Sequence, residues 1–550
     1  MKKWILFIGL LVLFVSWSSE SYGCTIIAVG KKASADGSVI LSHTDCGPDS
    51  RIYVVPARKY KPGDQAPVYW GIQDANLSLL DDGEIIGYIP QVAETYRYFH
   101  SAYSHINEYQ LGIAESTISQ RAELIVVRDK DHKPNQIMTI EQAQIFALQR
   151  CKKARDAVKL IGNLMTIYGF LPSSGDGSEC LVIGDTKEAW VFEVFSVGPG
   201  WSRESHKPGA IWAAQRLPDD EATMIPNWSI IKEIEDNENS KNFMFSANYM
   251  QEAIDRGWYD PTSDKPFNWQ ETYAPMPQEY ATSRFWLFYS TFAPKYKQWP
   301  DRSLKGDSYR GINQYYQYVE PLSFYPFSVK PEQKISVRDI MAFQRSTFEG
   351  TIYDLTSGPQ WLVPDDKGGF VKSPLATPFP SSDMRKLLRL TNRRPVARHR
   401  GHYGMICQLR GWLPNEIGGI YWVYLDNPYI SPYVPIYTGN LSTADCYSTY
   451  NPEKYEENSA RWAIDFVDNL ASLKFQEAIK DIWAARNPFE EEIFAKQEKI
   501  EKKALELHKK NIPSAQRFLT DYSNKLMNRV PDLYLKLRDT LIVKYTNNRE

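Results

Sequence analysis

A cysteine stands where an apolar, β-branched run begins, in Gly23-Cys24-Thr25-Ile26-Ile27-Ala28-Val29-Gly30. If the chain is cut in front of Cys24, one residue carries both a thiol and a free α-amine, a nucleophile beside a weak base of pKa about 7.7–8.0. That pairing suits acyl transfer, with the sulfur attacking a carbonyl and the amine receiving the thiol proton. An ordinary buried or disulfide-bonded cysteine is the other reading of the same residue. Downstream, Ser42-His43-Thr44-Asp45 lies where a returning strand can hold polar groups beside Cys24. Asp45 can there orient the new amino terminus or exchange a proton with it, and a turn aspartate ahead of Gly47-Pro48 is the alternative. The strand-like start of AIWAAQRLPDDEATMIPNWSII leads into a polar loop with Gln215, Arg216 and Asn227. Buried amides of this kind can donate to a developing oxyanion, although most are simply loop residues. His43, His100, His105, His399 and His402 show no closed metal-ligand spacing, and HExxH, paired CxxC and GxSxG are missing. The sequence therefore predicts no metal, no cofactor and no serine triad.

The cut itself has a clear signature. Met1-Lys2-Lys3 is a positive head, Trp4 to Trp17 is almost wholly apolar, and Ser18 to Gly23 is small and polar. This is a signal-peptide pattern over 1–23, with Ser21 and Gly23 supplying small residues before the cleavage point and an apolar run too short to anchor comfortably. It predicts a secreted or periplasmic protein beginning at Cys24. Lipoprotein processing is the rival cut, since it also precedes a cysteine. It usually demands a leucine-like residue where this chain has Ser21, and it would block both thiol and amine.

Composition narrows the partners. With 550 residues, 24% charged, 43% hydrophobic and 13% aromatic, the chain is globular and long enough for one large core or two domains. Removal of 1–23 takes away Lys2, Lys3 and Glu20, so a formal charge of −2 becomes −3 and offers no general pull on nucleic acid or anionic lipid. The basic run Arg393-Arg394 and Arg398 to Arg400 sits among aromatics that alternate as in buried strands, with Glu416 and Asp426 nearby, so nucleic acid is not a predicted partner. No second apolar run reaches membrane-span length. Six cysteines in so long a chain are no disulfide scaffold, and setting Cys24 aside leaves an odd number.

The elements that must position these residues read as follows. Thr25 to Val29 and Ser38 to Leu41 form a β-hairpin, closed by Asp36-Gly37. INEYQLGIAEST runs from a polar turn into a strand, and Thr139 to Ile161 reads as one long helix opened by a Thr-Ile-Glu-Gln cap. CLVIGD and AWVFEVF are strands, Tyr280 to Trp286 begins a helix, and 403–437 supplies further strands. From Asn458 the chain turns helix-rich, with Phe489 to Lys510 an exposed helix and Pro513 and Pro531 dividing the tail.

In this order, CTIIAVGKKASADGS, SHTD, INEYQLGIAEST, AWVFEV, YATSRFW, RSTFEGTIYDLT, QLRGWLPNEIGGIYW and YVPIYTGN resemble the bacterial cysteine dipeptidases of the N-terminal nucleophile hydrolase superfamily. The resemblance runs from Cys24 to the closing TLIVKY. It implies an α+β, four-layer αββα sandwich over 24–450 with a helical extension over 451–550. It implies a dipeptide substrate, cleaved through a thioester on Cys24, with Asp45 as the acid after the first hairpin and Arg284 as the arginine facing the nucleophile. Two departures accompany it. The arginine that related acylases place before that acid is matched by His43 or by nothing, and their first oxyanion asparagine by Glu115 or Ser116, leaving Asn227 and Gln215 as oxyanion candidates. Non-peptide amides such as bile-salt conjugates or penicillin V are the alternative substrates, and a lipid-anchored binding protein is the alternative outside enzymes. Homo-oligomerisation stays open.

Overall fold

A computed structural model describes residues 24–44, 47–79, 82–173, 177–236, 240–275, 279–294, 326–351, 353–390, 394–399 and 401–546. The signal segment, Asp45 and Cys46 lie outside the described residues.

The fold mixes α and β, and its strands gather into two large antiparallel sheets. In chain order these strands are β1 (Thr25–Val29), β2 (Val39–Thr44), β3 (Gly112–Ile118), β4 (Ser178–Gly184), β5 (Ala189–Ser196), β6 (Ala210–Arg216), β7 (Ala222–Ile225), β8 (Phe243–Phe245), β9 (Tyr403–Leu409), β10 (Gly419–Leu425) and β11 (Val434–Tyr437). One sheet is six-stranded, ordered β7-β1-β2-β9-β10-β11, and the other five-stranded, ordered β8-β6-β5-β4-β3. β1 and β2 are buried along their whole length, as unbroken apolar runs inside a covered sheet should be. The hairpin between them closes where Gly37 takes φ 87° and the Asp36 carboxylate accepts from the Ser38 amide and hydroxyl. β2 runs three residues past the predicted end, through Ser42, His43 and Thr44, because β9 pairs with it and extends the ladder.

The two sheets meet at β1, β2 and β3. Leu41 of β2 is fully buried and fills the space above Gly112 of β3 and Gly184 of β4, where a Cβ would come within 3.1 and 3.0 Å of its methyls. Bare glycine backbone thus lets one leucine hold the sheets in close contact. Helices α1 (Ile140–Arg150), α2 (Ala154–Tyr168), α3 (Glu279–Phe292) and α4 (Val337–Gln344) pack around them, α2 on β4, β5 and β6, α3 on β7, and α4 on β2 and β9.

Two sequence expectations fail for identifiable reasons. The single helix predicted over Thr139 to Ile161 is two: Thr139 caps α1 as expected, but Cys151 and Lys153 are extended and Asp185 accepts from the Ala154 amide, starting α2 afresh. In the tail, α5 (Ala460–Ala471) is followed by α6 (Phe475–Lys510) and α7 (Ile512–Tyr545), and Pro531 lies inside α7 rather than dividing it. Proline at 531 deprives the Met527 carbonyl of its helical donor, and the Cys446 thiol reaches that carbonyl at 3.6 Å. Nor is α6 simply exposed. Phe489, Glu490, Ile493 and Ala504 are buried, Glu490 pairs with Arg345, and Glu501 pairs with Arg410 at 2.9 Å. One contiguous hydrophobic core runs from Ile26 to Leu541.

Cys151, Cys180, Cys407 and Cys446 are buried and unbridged. Among the described residues no helix is long and apolar enough to cross a membrane. Leu41→Ala should destabilise the protein by about 2–5 kcal/mol, since the glycine floor beneath the side chain cannot collapse into the void. Denaturant unfolding of the two proteins measures the difference.

Candidate active site

β1 delivers Cys24 to the junction of the sheets. Its neighbours are Thr25, whose amide donates to the Thr44 hydroxyl at 3.1 Å, and Ile26, which pairs with His43 on β2 and with Ile225 on β7. Continuing the β1–β7 register brings Pro226 and Asn227 alongside the start of β1. Asn227 has φ 66°, a left-handed conformation that asparagine tolerates better than most side chains. Its amide donates to the Thr117 carbonyl at 2.9 Å and the Ser116 hydroxyl at 3.3 Å, fastening β7 across to β3.

Arg284 comes from α3 and is completely buried. One guanidinium nitrogen donates to the Cys24 carbonyl at 2.6 Å and the Thr25 hydroxyl at 2.7 Å. The other donates to the Pro226 carbonyl at 2.8 Å and the Asn227 side-chain oxygen at 2.9 Å. The arginine therefore grips the backbone of the cysteine, and Asn227 is held by the same grip. Gln215 stands elsewhere. It sits on β6, separated from β3 by β5 and β4, so about 14 Å of sheet lies between it and the strand that faces Cys24. The fold does not bring it to the site, and Asp45 lies outside the described residues.

Around the sulfur are groups that the motif search did not combine. Cys24 Sγ is 3.7 Å from Glu115 Oε2, and the same oxygen is 3.6 Å from His43 Nε2. Glu115 and His43 are both fully buried. Burial, then repulsion from Glu179, pushes the Glu115 carboxyl well above its ordinary value of 4.5. Burial, then His105, drives His43 well below 6.5. The two shifts agree in direction: burial favours the uncharged form of each group and weakens any ion pair between them. A neutral carboxyl donates a hydrogen bond as well as accepting one.

Cys24 also opens onto a cavity of about 340 Å³. Tyr103, Trp70, Gln73, Asp74 and Glu141 line it. Glu141, from the first turn of α1, is buried, accepts from the Ser173 hydroxyl at 2.8 Å and is shifted upward by burial. Neither Glu141 nor the His43–Glu115 pairing was legible as a site in the sequence, because each reaches Cys24 only through the packing of distant elements.

The model of peptidase family C69 matches residues 23–487. A "Probable dipeptidase" of Latilactobacillus sakei is 23% identical, over 84% of this chain and 86% of its own length. A "Probable dipeptidase B" of Lactococcus lactis is 24% identical over 92% and 91%. "Dipeptidase A" of Lactobacillus helveticus is 22% identical over 82% of each.

The carboxyl of Glu115 fixes the sign of a pH effect. Its folded pKa lies above the unfolded one, so its contribution favours the fold below pH 4.5 and is lost as pH rises towards the folded value, by about 1.4 kcal/mol per unit. His43, depressed, instead costs stability below 6.5. Glu115→Gln should therefore gain stability over the parent progressively above pH 4.5, in unfolding curves taken from pH 5 to 8, whereas a constant difference would mean that Glu115 is ionised in the fold.

Proposed function

The chain belongs to peptidase family C69, and we propose that it is an exported dipeptidase whose nucleophile is Cys24, exposed as the first residue once 1–23 are removed. The observation that carries this reading is the place of Cys24. It opens a central strand at the mouth of a cavity, with its backbone carbonyl held by a buried guanidinium and the match to the family starting one residue before it. Relatives named dipeptidase support the substrate class, and a cavity of about 340 Å³ suits a ligand of dipeptide size. The four-layer αββα architecture belongs to the same proposal. Two antiparallel sheets in face contact, with α2 against one and α4 against the other, support it.

In the reaction, the thiol of Cys24 attacks the peptide carbonyl and its proton passes to the α-amine, directly or through water. The amine returns the proton to the departing amino group, a thioester to the first residue of the dipeptide remains, and water hydrolyses it. Arg284 places a positive charge beside the Cys24 backbone, which disfavours an ammonium at the same residue and keeps the amine available as a base. Asn227 is the proposed oxyanion donor. Its 3.3 Å bond to Ser116 is the weaker of its two and the one a tetrahedral oxygen would replace.

The closeness of His43, Glu115 and Cys24 favours a second reading, in which an imidazole rather than the α-amine accepts the proton and no free amino terminus is needed. The depressed basicity of His43 argues against it.

The purified protein should start at an unmodified Cys24 by mass spectrometry and hydrolyse dipeptides, and a diacylglyceryl adduct there would remove the proposed base. Cys24→Ser should fold normally and lose more than about 10³-fold in kcat/KM. A mature form carrying one extra residue ahead of Cys24 should be equally inactive; full activity in it would transfer the base role to His43.

A further inference from the structure

The Cys24 sulfur, a ring nitrogen of His43 and a carboxylate oxygen of Glu115 all lie within 4.8 Å of one another, and they come from the residue before β1, from β2 and from β3, the strands where the two sheets are locked together. The separations are chemically specific. Zinc bound to sulfur at about 2.3 Å and to nitrogen or oxygen at about 2.0–2.1 Å places tetrahedral ligand atoms roughly 3.3–3.6 Å apart. The Cys24–Glu115 and His43–Glu115 edges are already 3.7 and 3.6 Å. Two edges of the coordination triangle need to contract by only a few tenths of an ångström.

A second observation points to an occupant. Both ring nitrogens of His43 and Oε1 of Glu115 are buried with no hydrogen-bond partner. Such atoms are uncommon in folded proteins and are found where a ligand or ion completes their bonding. The neighbouring cavity, which Cys24 lines, gives an ion a path to them.

We propose that this cluster is an inhibitory zinc site, with Cys24, His43 and Glu115 as its three side-chain ligands. On the N-terminal-nucleophile reading above, on which this last ligand rests, the α-amine of Cys24 completes the tetrahedron through a five-membered chelate with its own sulfur. Binding breaks the thiol S–H bond and the O–H bond of the protonated Glu115 carboxyl, forms Zn–S and Zn–O bonds and releases both protons to solvent. The ion thus occupies the nucleophile and its base together. The mixed sulfur, imidazole and carboxylate set selects a borderline-soft divalent ion and excludes magnesium and calcium, which require mainly oxygen donors.

The test uses the full mature protein, stripped with a chelator and titrated with zinc chloride in a calorimeter. One zinc should bind per chain, magnesium should not, and affinity should fall at least about tenfold in Glu115→Gln, an isosteric change, and in His43→Gln. Cadmium should give a sulfur-to-metal absorption band in the parent and none in Cys24→Ser, a readout that needs no activity. Dipeptide hydrolysis should fall as zinc saturates the site and return on adding EDTA. Failure of the stripped parent to bind zinc, or equal binding in Cys24→Ser and Glu115→Gln, overturns the site. Loss of hydrolysis on chelation alone overturns its inhibitory role. If no dipeptide is cleaved yet zinc binds through these residues, the function fails and the site stands; cleavage without zinc binding sinks the site alone.

Discussion

A guanidinium with no exposed surface anchors the whole arrangement. Taking a cation out of water is costly, and the cost is offset only where several acceptors with good geometry surround it. Arg284 finds four such oxygens, two on the first residues of β1 and two just beyond the end of β7. Those strands are neighbours in one sheet, and Asn227 carries the connection on to β3 in the other. Loss of the arginine would leave buried carbonyls and an amide without their donor, and the first turn of chain after Cys24 would lose the restraint that aims it. The placement of Cys24 thus rests on a helix more than two hundred and fifty residues away in sequence.

The electrostatics near the sulfur set limits on how it can be activated. In cysteine enzymes that use an imidazolium–thiolate pair, the positive ring stabilises the thiolate. Here His43 has been made a poor base by burial and by His105, and Glu115 has been made a poor acid by burial and by Glu179. Charge has been removed from both sides of the sulfur. A neutral thiol that passes its proton to a nearby neutral amine during attack fits such surroundings better than a preformed ion pair, because the charges appear only when substrate has arrived. The buried Glu141 and the exposed Asp74 both line the cavity.

The sequence was informative where chemistry and local pattern coincide. The hairpin from Cys24 could be read because Thr25 to Val29 is an uninterrupted β-branched run and Asp36-Gly37 is a local turn signal, and Arg284 could be placed only through the resemblance of its YATSRFW string. What failed depended on contacts made at a distance. The break at Cys151–Lys153 is stabilised by Asp185, a residue on the far side of α2, and Pro531 stays helical because a thiol from position 446 reaches the carbonyl it strands. Gln215 looked like Asn227 by composition, and only strand order separates them. Glu115 was visible as a departure from the pattern of related acylases, but its partnership with His43 needs the two sheets to be stacked before it exists.

Stacking also explains why Cys24, 3% exposed, can still serve the nucleophilic role proposed for it. Among the described residues, Glu115 of β3 lies against its sulfur with His43 of β2 beside that carboxyl, and Cys24 lines the cavity together with Trp70, Tyr103 and Glu141. A small substrate entering that space displaces water from around the thiol, which strengthens every polar contact made there. On the mechanism proposed above, the same enclosure readmits one water to release the thioester. A cavity of about 340 Å³ has room for a bound acyl residue and a few waters once the leaving amino acid has gone, and less room for water the longer the leaving peptide is. On that mechanism, a preference for short substrates would follow from the deacylation step as much as from binding, since a smaller leaving group clears more of the cavity for the water that must reach the sulfur.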